Sequence, residues 1–238
     1  MPLQNAVAHA TSFLDSLPQR HVGARADHDA LRRALAVPLA DDGEDAAAVI
    51  DALAAGADEG LIGSAGPRYF GFVIGGSLPV ALAADWLTSA WDQNTGLFAT
   101  SPANSVCEEI AAEWLLDLLD LPRASGVGFV TGCQMANFTA LAAARHGVLR
   151  GSGWNVESHG LYGAPRVNIV LGAEAHVTIH TSLRMLGFGT QGVVIVPTDG
   201  QGRMRADALR DALASLEAMH AVYQCACTRR DLESARLG

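Results

Sequence analysis

Two short segments hold residues whose types and spacing could do chemistry. The first is Thr131-Gly132-Cys133-Gln134-Met135-Ala136-Asn137. A glycine between a strand-like run and a helix-like run lets the backbone approach a ligand closely. The N–H groups of Cys133, Gln134 and Met135 would then converge on one point, backed by the positive end of the helix dipole. That arrangement suits a phosphate. The second is His176, which follows the apolar run Val167–Leu171. Open α/β sheets set their ligands at the carboxyl ends of strands, and an imidazole there can stack on a flat heterocycle. Neither feature is specific alone: most strand–glycine–helix turns bind nothing, and a histidine at a helix start is more often a cap or a surface group.

Other patterns carry less. Gly187, Gly189 and Gly192 spell a literal G-x-G-x-x-G, but it follows a helix and precedes a strand, the reverse of the dinucleotide order, and reads as a turn. His176 and His180 are four apart with no evident third ligand, so no metal is expected. No G-x-S-x-G elbow occurs. Cys133 at a helix start could be a nucleophile, although a backbone contact to phosphate is the better reading. All 16 residues of the Lys+Arg total are arginine, so the chain has no lysine. A guanidinium stays protonated and cannot serve as an amine nucleophile.

The elements that must position these residues form an α/β pattern. Phe129–Thr131 predicts a short strand leading into a helix from Cys133 to His146. Val167–Leu171 predicts a strand followed by a helix from Glu174 to Leu186, with Gly187 as its stop. Val193–Val196 predicts a strand closed by Pro197, and Ala206–Met219 a helix. Strand–helix repeated three times argues for a mostly parallel sheet. Upstream, Ser105 with Glu108 forms a capping box for a helix over 105–120, ended by Pro122. Residues 1–60 read as helical, with one helix over Asp41–Ala55. They lack an apolar set large enough to fold alone, so this arm should lie across another surface, for instance a second subunit. Residues 61–82 combine Gly63, Gly66, Pro67, Gly71, Gly75, Gly76 and Pro79 with bulky Tyr69, Phe70, Phe72, Val73 and Ile74, which reads as an apolar loop packed into a core or lining a pocket.

The chain has 238 residues, half of them hydrophobic, and a net charge of −9. That mass allows one sizeable core. The acidic balance and the lack of a basic cluster argue against nucleic acid. The four cysteines form no zinc pattern, and no signal peptide is evident, so a reduced, cytoplasmic setting is expected. No apolar run reaches the roughly 18–20 residues of a membrane span. After Met219 the strand–helix rhythm breaks. Only Ala221–Tyr223 could begin a fourth strand, and residues 220–238 read as an atypical tail, solvated or displaced by a frameshift.

Taken together, these motifs resemble the group II pyridoxal-phosphate-dependent decarboxylases, which act on aromatic amino acids, histidine and glutamate. The resemblance runs through Ser12–Pro18, Gly66-Pro67-Arg68-Tyr69-Phe70-Gly71-Phe72, Ser101-Pro102-Ala103 with Glu108 and Glu109, Phe129–Asn137, Ala175-His176 and Met204-Arg205, covering roughly residues 10–215. It implies a pyridoxal-phosphate-dependent transferase fold of type I, aspartate aminotransferase-like. The chain would hold an N-terminal helical arm and substrate-side loop (1–100) and a truncated large-domain sheet (101–219). It implies pyridoxal 5'-phosphate as cofactor, its phosphate at Gly132, Cys133 and Gln134 and its ring under His176. Phe72 and Val73 would approach the substrate, from the neighbouring subunit of a homodimer. The family's Schiff-base lysine is absent, so an N-terminal portion with little or no carboxy-lyase activity is expected. The alternatives are a non-catalytic binding or dimer-partner module of the same ancestry and an unrelated α/β phosphate binder. The amino-acid substrate is not legible.

Overall fold

The computed structural model describes residues 1–39, 41–217 and 222–225, in two compact units, Met1–Pro102 and Ala103–Gly238. The expected tail 220–238 lies outside the described residues except for the backbone of 222–225.

In the first unit the second and third helices start where aspartates cap them. Helices α1 (Pro2–Ser16), α2 (His28–Leu35) and α3 (Ala46–Ala57) make up the arm. Asp27 accepts from the Ala30 N–H at 2.8 Å, and Asp45 from those of Ala47 and Ala48. The α3 helix therefore begins at Ala46 and not at Asp41, because Asp45 occupies the cap position. Asn5 and His9 on α1 both bond Asp51 on α3, His9 Nε2 at 2.7 Å. No residue of these three helices is buried. Helix α4 (Pro79–Trp91) takes the end of the expected loop. Pro79 sits in its first turn, where a proline costs no backbone hydrogen bond.

In the second unit, α5 spans Pro102–Leu118. It starts three residues before the expected Ser105 box, with a proline again leading. Helix α6 (Cys133–Gly151) outruns its expected end at His146, and the short α7 (Val156–His159) follows. Strand β1 (Val167–Gly172), helix α8 (Val177–Met185), strand β2 (Val193–Val196), helix α9 (Ala206–Glu217) and strand β3 (Val222–Cys225) complete the order. Phe129–Thr131 is not a strand. Both edges of β1 are taken, by β2 and β3, and the segment pairs with neither end of this ladder; an apolar run becomes a strand only where its backbone finds a partner.

The sheet is parallel, in the order β2-β1-β3. Central β1 has four consecutive buried residues, Asn168 to Leu171, as expected of a parallel strand covered on both faces. Its alternation sorts two cores. Ile169 and Leu171 pack with Leu141 of α6 and with Leu183 and Leu186 near α8. Val170 packs on the opposite face with Val196 of β2 and with Leu209 and Leu216 of α9. Helices α6 and α8 thus share one face and α9 covers the other. Gly187, at φ +84, and Gly189, at φ +70, turn the chain from α8 toward β2.

One acid-sensitive contact fixes the start of α9. The Arg205 guanidinium, with the Ala208 N–H adding to it, holds the Asp207 carboxyl at about 2, below its ordinary 3.8. A depressed carboxyl contributes stability above its unfolded value and loses it as pH falls through the folded one. The Asp207 contribution should therefore be constant above about pH 4 and vanish between 3.8 and about 2. A carboxyl-carbon NMR titration reads this directly. Acid unfolding of Asp207→Asn should lack that component.

Candidate functional site

The site is built where the carboxyl ends of the strands open toward α6 and α8. Beyond Gly172, the Ala173 N–H donates to the Val196 carbonyl at 2.9 Å, pinning the loop to the end of β2. The Ala175 N–H then donates to the Gly172 carbonyl at 3.0 Å. This tight path delivers His176 to the cap position of α8, with extended backbone (φ −62, ψ 145). The expected start at Glu174 therefore moves to Val177, since His176 is a cap and the residues before it are loop. Its Nδ1 lies 3.2 Å from the Thr178 N–H and 2.9 Å from Thr178 Oγ1. The residue is exposed.

Helix α6 starts at Cys133. Gly132 has φ +97 and ψ 172, a conformation essentially reserved for glycine. No side chain caps this helix. The first intrahelical bond runs from the Ala136 N–H to the Gly132 carbonyl at 3.1 Å, so the N–H groups of Cys133, Gln134 and Met135 precede the ladder. A Cβ built on Gly132 would meet nothing within 4 Å. The helix end thus faces open space, and it can hold a dianion through backbone donors and dipole alone. Cys133 is an exposed free thiol at its first position.

The two helix starts are bonded side by side. Gln134 Nε2 donates to Ser182 Oγ at 2.8 Å and to the Thr178 carbonyl at 3.4 Å. Asn137 Nδ2 donates to Thr178 Oγ1 at 2.8 Å. A continuous path, Asn137 to Thr178 to His176, joins the glycine turn to the imidazole on one face of the sheet. Gln134 and His176 are thus linked through Thr178, with Gly132 and Cys133 at the start of the same helix as Gln134. The Gln134 side chain, however, is turned onto α8, leaving its backbone N–H as the group that can face a ligand.

Phe72 and Val73 belong to the other compact unit. They stand almost fully exposed, at 92% and 103%, on a loop where both have positive φ, 54° and 56°. Among the described residues this loop does not pack into a core, contrary to one of its two sequence readings. A β-branched residue at positive φ is a conformational outlier, and such outliers collect where chains meet ligands or partners.

Sequence reasoning gave Asn137 and Thr178 no role. The signal was a hydroxyl residue two positions after a helix-capping histidine, together with an amide four positions into the facing helix.

Residues 29–228 match the pyridoxal-dependent decarboxylase conserved domain. The chain belongs to the pyridoxal-dependent decarboxylase family. It is 28% identical over 143 residues to the acidic amino acid decarboxylase GADL1 of Bos taurus, a match covering 60% of this chain and 26% of that protein. It is 30% identical over 173 residues to tryptophan decarboxylase 1 of Oryza sativa subsp. japonica, covering 68% of this chain and 32% of the relative. In three dimensions it resembles mouse CSAD, with a TM-score of 0.82, 23% identity and coverage of 93% of this chain and 46% of the other. The glutamate decarboxylase domain of a Vibrio parahaemolyticus protein gives a TM-score of 0.82 at 24% identity, covering 92% and 49%. Those likenesses establish the fold, a type I large domain in part. The chain spans roughly a quarter to a third of the curated relatives and about half of the solved structures. Among the described residues no helix is long and apolar enough to cross a membrane.

Proposed function

We propose that this chain supplies the phosphate- and ring-holding part of a pyridoxal-phosphate-dependent amino-acid decarboxylase site. We propose further that, having no lysine, it turns over little substrate by itself. The observation that carries the reading is the hydrogen-bonded join between the open, uncapped start of α6 and the capping histidine of α8. The donor set suits the cofactor in two places. The N–H groups of Cys133, Gln134 and Met135 offer uncharged donors to a phosphate, and His176 offers a flat, exposed ring to a heterocycle. When bound, the cofactor supplies an electron sink for the pair left at Cα as the carboxylate departs. The part of the chemistry that needs a side-chain amine has no group in these 238 residues, since all 16 basic side chains are arginine.

Phe72 and Val73 are proposed to close over the substrate from the neighbouring subunit of a homodimer working in a reducing cytoplasm. Their exposure and positive φ support that placement. The lack of lysine equally favours a second reading, a non-catalytic module that binds the cofactor or an intact subunit.

Titration of the purified chain with pyridoxal phosphate should show saturable quenching of tryptophan fluorescence. Borohydride treatment should leave no cofactor on any internal residue by mass spectrometry. His176→Ala should weaken binding about two- to twelvefold, the equivalent of one lost ring contact of ~0.5–1.5 kcal/mol. Absence of saturable binding would overturn the cofactor reading. Decarboxylation within about tenfold of the ~10 per second typical of enzymes would overturn the inactivity.

A further inference from the structure

We propose that Asn137 and Thr178 are positioning residues: they form a directional relay from α6 that fixes His176 as the tautomer with its proton on Nε2. The inference deepens the proposed cofactor site and rests on that reading for its functional meaning, although the relay itself is a property of the protein alone. It starts from a donor whose direction is not adjustable. The Thr178 backbone N–H points at His176 Nδ1 from 3.2 Å, so Nδ1 must offer its lone pair. The same nitrogen lies 2.9 Å from Thr178 Oγ1. With Nδ1 committed as an acceptor, the hydroxyl has to donate to it. A hydroxyl that donates in this direction keeps its own lone pairs for another donor, and Asn137 Nδ2 stands 2.8 Å away. The backbone N–H sets the direction, and the Thr178 hydroxyl, held in its rotor by the Asn137 amide, adds a second and shorter donor to the same nitrogen.

The relay has a consequence for the site. A ring held at Nδ1 by two donors cannot turn about its Cβ–Cγ bond without breaking both, so its plane is preset before any heterocycle arrives. Its single N–H sits on the exposed edge. Gln134 braces the same arrangement by bonding the Thr178 carbonyl and Ser182. The ring's orientation is thereby tied to the helix whose start faces the phosphate, so both contact points move as one body.

The test uses the full chain, with histidine ring nitrogens labelled and the His176 signals assigned by their loss in His176→Ala. In the cofactor-free protein above about pH 8, where imidazole is neutral, Nδ1 of His176 should resonate as an unprotonated nitrogen and Nε2 as a protonated one. Thr178→Ser, which keeps the hydroxyl, should preserve this pattern. Thr178→Val, close in volume but left with the backbone N–H as the single donor, should keep Nδ1 as the acceptor and move both nitrogens part-way toward the averaged values of free imidazole. Asn137→Asp, which can accept but not donate, reverses the relay and should shift protonation toward Nδ1. Affinity for pyridoxal phosphate should fall about two- to twelvefold in Thr178→Val, matching one hydrogen bond of ~0.5–1.5 kcal/mol, and hold in Thr178→Ser. A protonated Nδ1 in the unaltered protein overturns the relay, as do nitrogen shifts that stay unchanged in both Thr178→Val and Asn137→Asp. If the nitrogen pattern is as expected but the cofactor does not bind, the relay stands and the cofactor reading fails. Circular dichroism of each variant separates a tautomer change from loss of the fold.

Discussion

Gly132→Ala and Gly147→Ala, the same substitution at two points of one helix region, should change stability in opposite directions. Gly147 lies within α6, and a Cβ there meets nothing within 4 Å. Alanine is the better helix former, so Gly147→Ala should stabilise by about 0.5–1 kcal/mol. Gly132 also has open space around its missing Cβ, so crowding is not what forbids a side chain there. The obstacle is its backbone, at φ +97 and ψ 172, a region that costs an L-residue roughly 1–3 kcal/mol. Gly132→Ala should therefore destabilise by that amount, or relax by rotating the turn.

Relaxation is the more informative outcome for the site. Rotating the Gly132 peptide re-aims the N–H of Cys133 and tips the first turn of α6, the donors proposed to hold the phosphate. Affinity for pyridoxal phosphate should then drop at least tenfold, the equivalent of ~1.4 kcal/mol, while Gly147→Ala binds as the unaltered chain does. Urea denaturation gives the stability change and fluorescence titration the affinity. Equal effects of the two substitutions would show that the turn has no special role. A destabilised Gly132→Ala with unchanged affinity would separate its backbone requirement from ligand binding.

How much of this was legible in the sequence differs by feature. Val167–Leu171 and Val193–Val196 announce themselves because strands buried on both faces are runs of branched apolar residues, and the observed strands differ by one residue or none. Phe129–Thr131 is just as apolar but is not a strand, because periodicity reports burial and not the presence of a pairing edge. Helix ends were misplaced where caps compete. Asp41, Asp42 and Asp45 are all plausible caps, and Asp45 is the one used. The α5 helix starts at Pro102, before Ser105, and Glu174 gives way to His176, whose ring does what an aspartate would do. The site was legible as two separated motifs. What joined them was not, since Asn137, Thr178 and Ser182 meet only through the packing of α6 against α8. That packing is fixed by Leu141, Leu183 and Leu186, which look like any other leucines in a helix.

Leu183→Ala is the substitution that should expose this dependence of the site on the core. Leu183 is 1% exposed and packs against Leu141, Ile169, Leu171 and Leu186. Truncating it leaves a cavity where α6, α8 and β1 converge, at a cost of about 2–5 kcal/mol. Domains are stable by only about 5–15 kcal/mol in total, so the variant should retain its fold at low temperature with a clearly lower urea midpoint. Leu209→Ala serves as its counterpart. Leu209 is 2% exposed, but it belongs to the core on the α9 face, away from both helix starts. The two truncations should cost similar stability. Only Leu183→Ala should also weaken pyridoxal phosphate binding in the folded protein, because Leu183 follows Ser182, the partner of Gln134. If both variants bind equally well at matched folded fractions, α8 is held in place by its hydrogen bonds to α6 without help from this core. If both lose binding, the three-stranded sheet responds as a single unit, and the two faces are not independent supports.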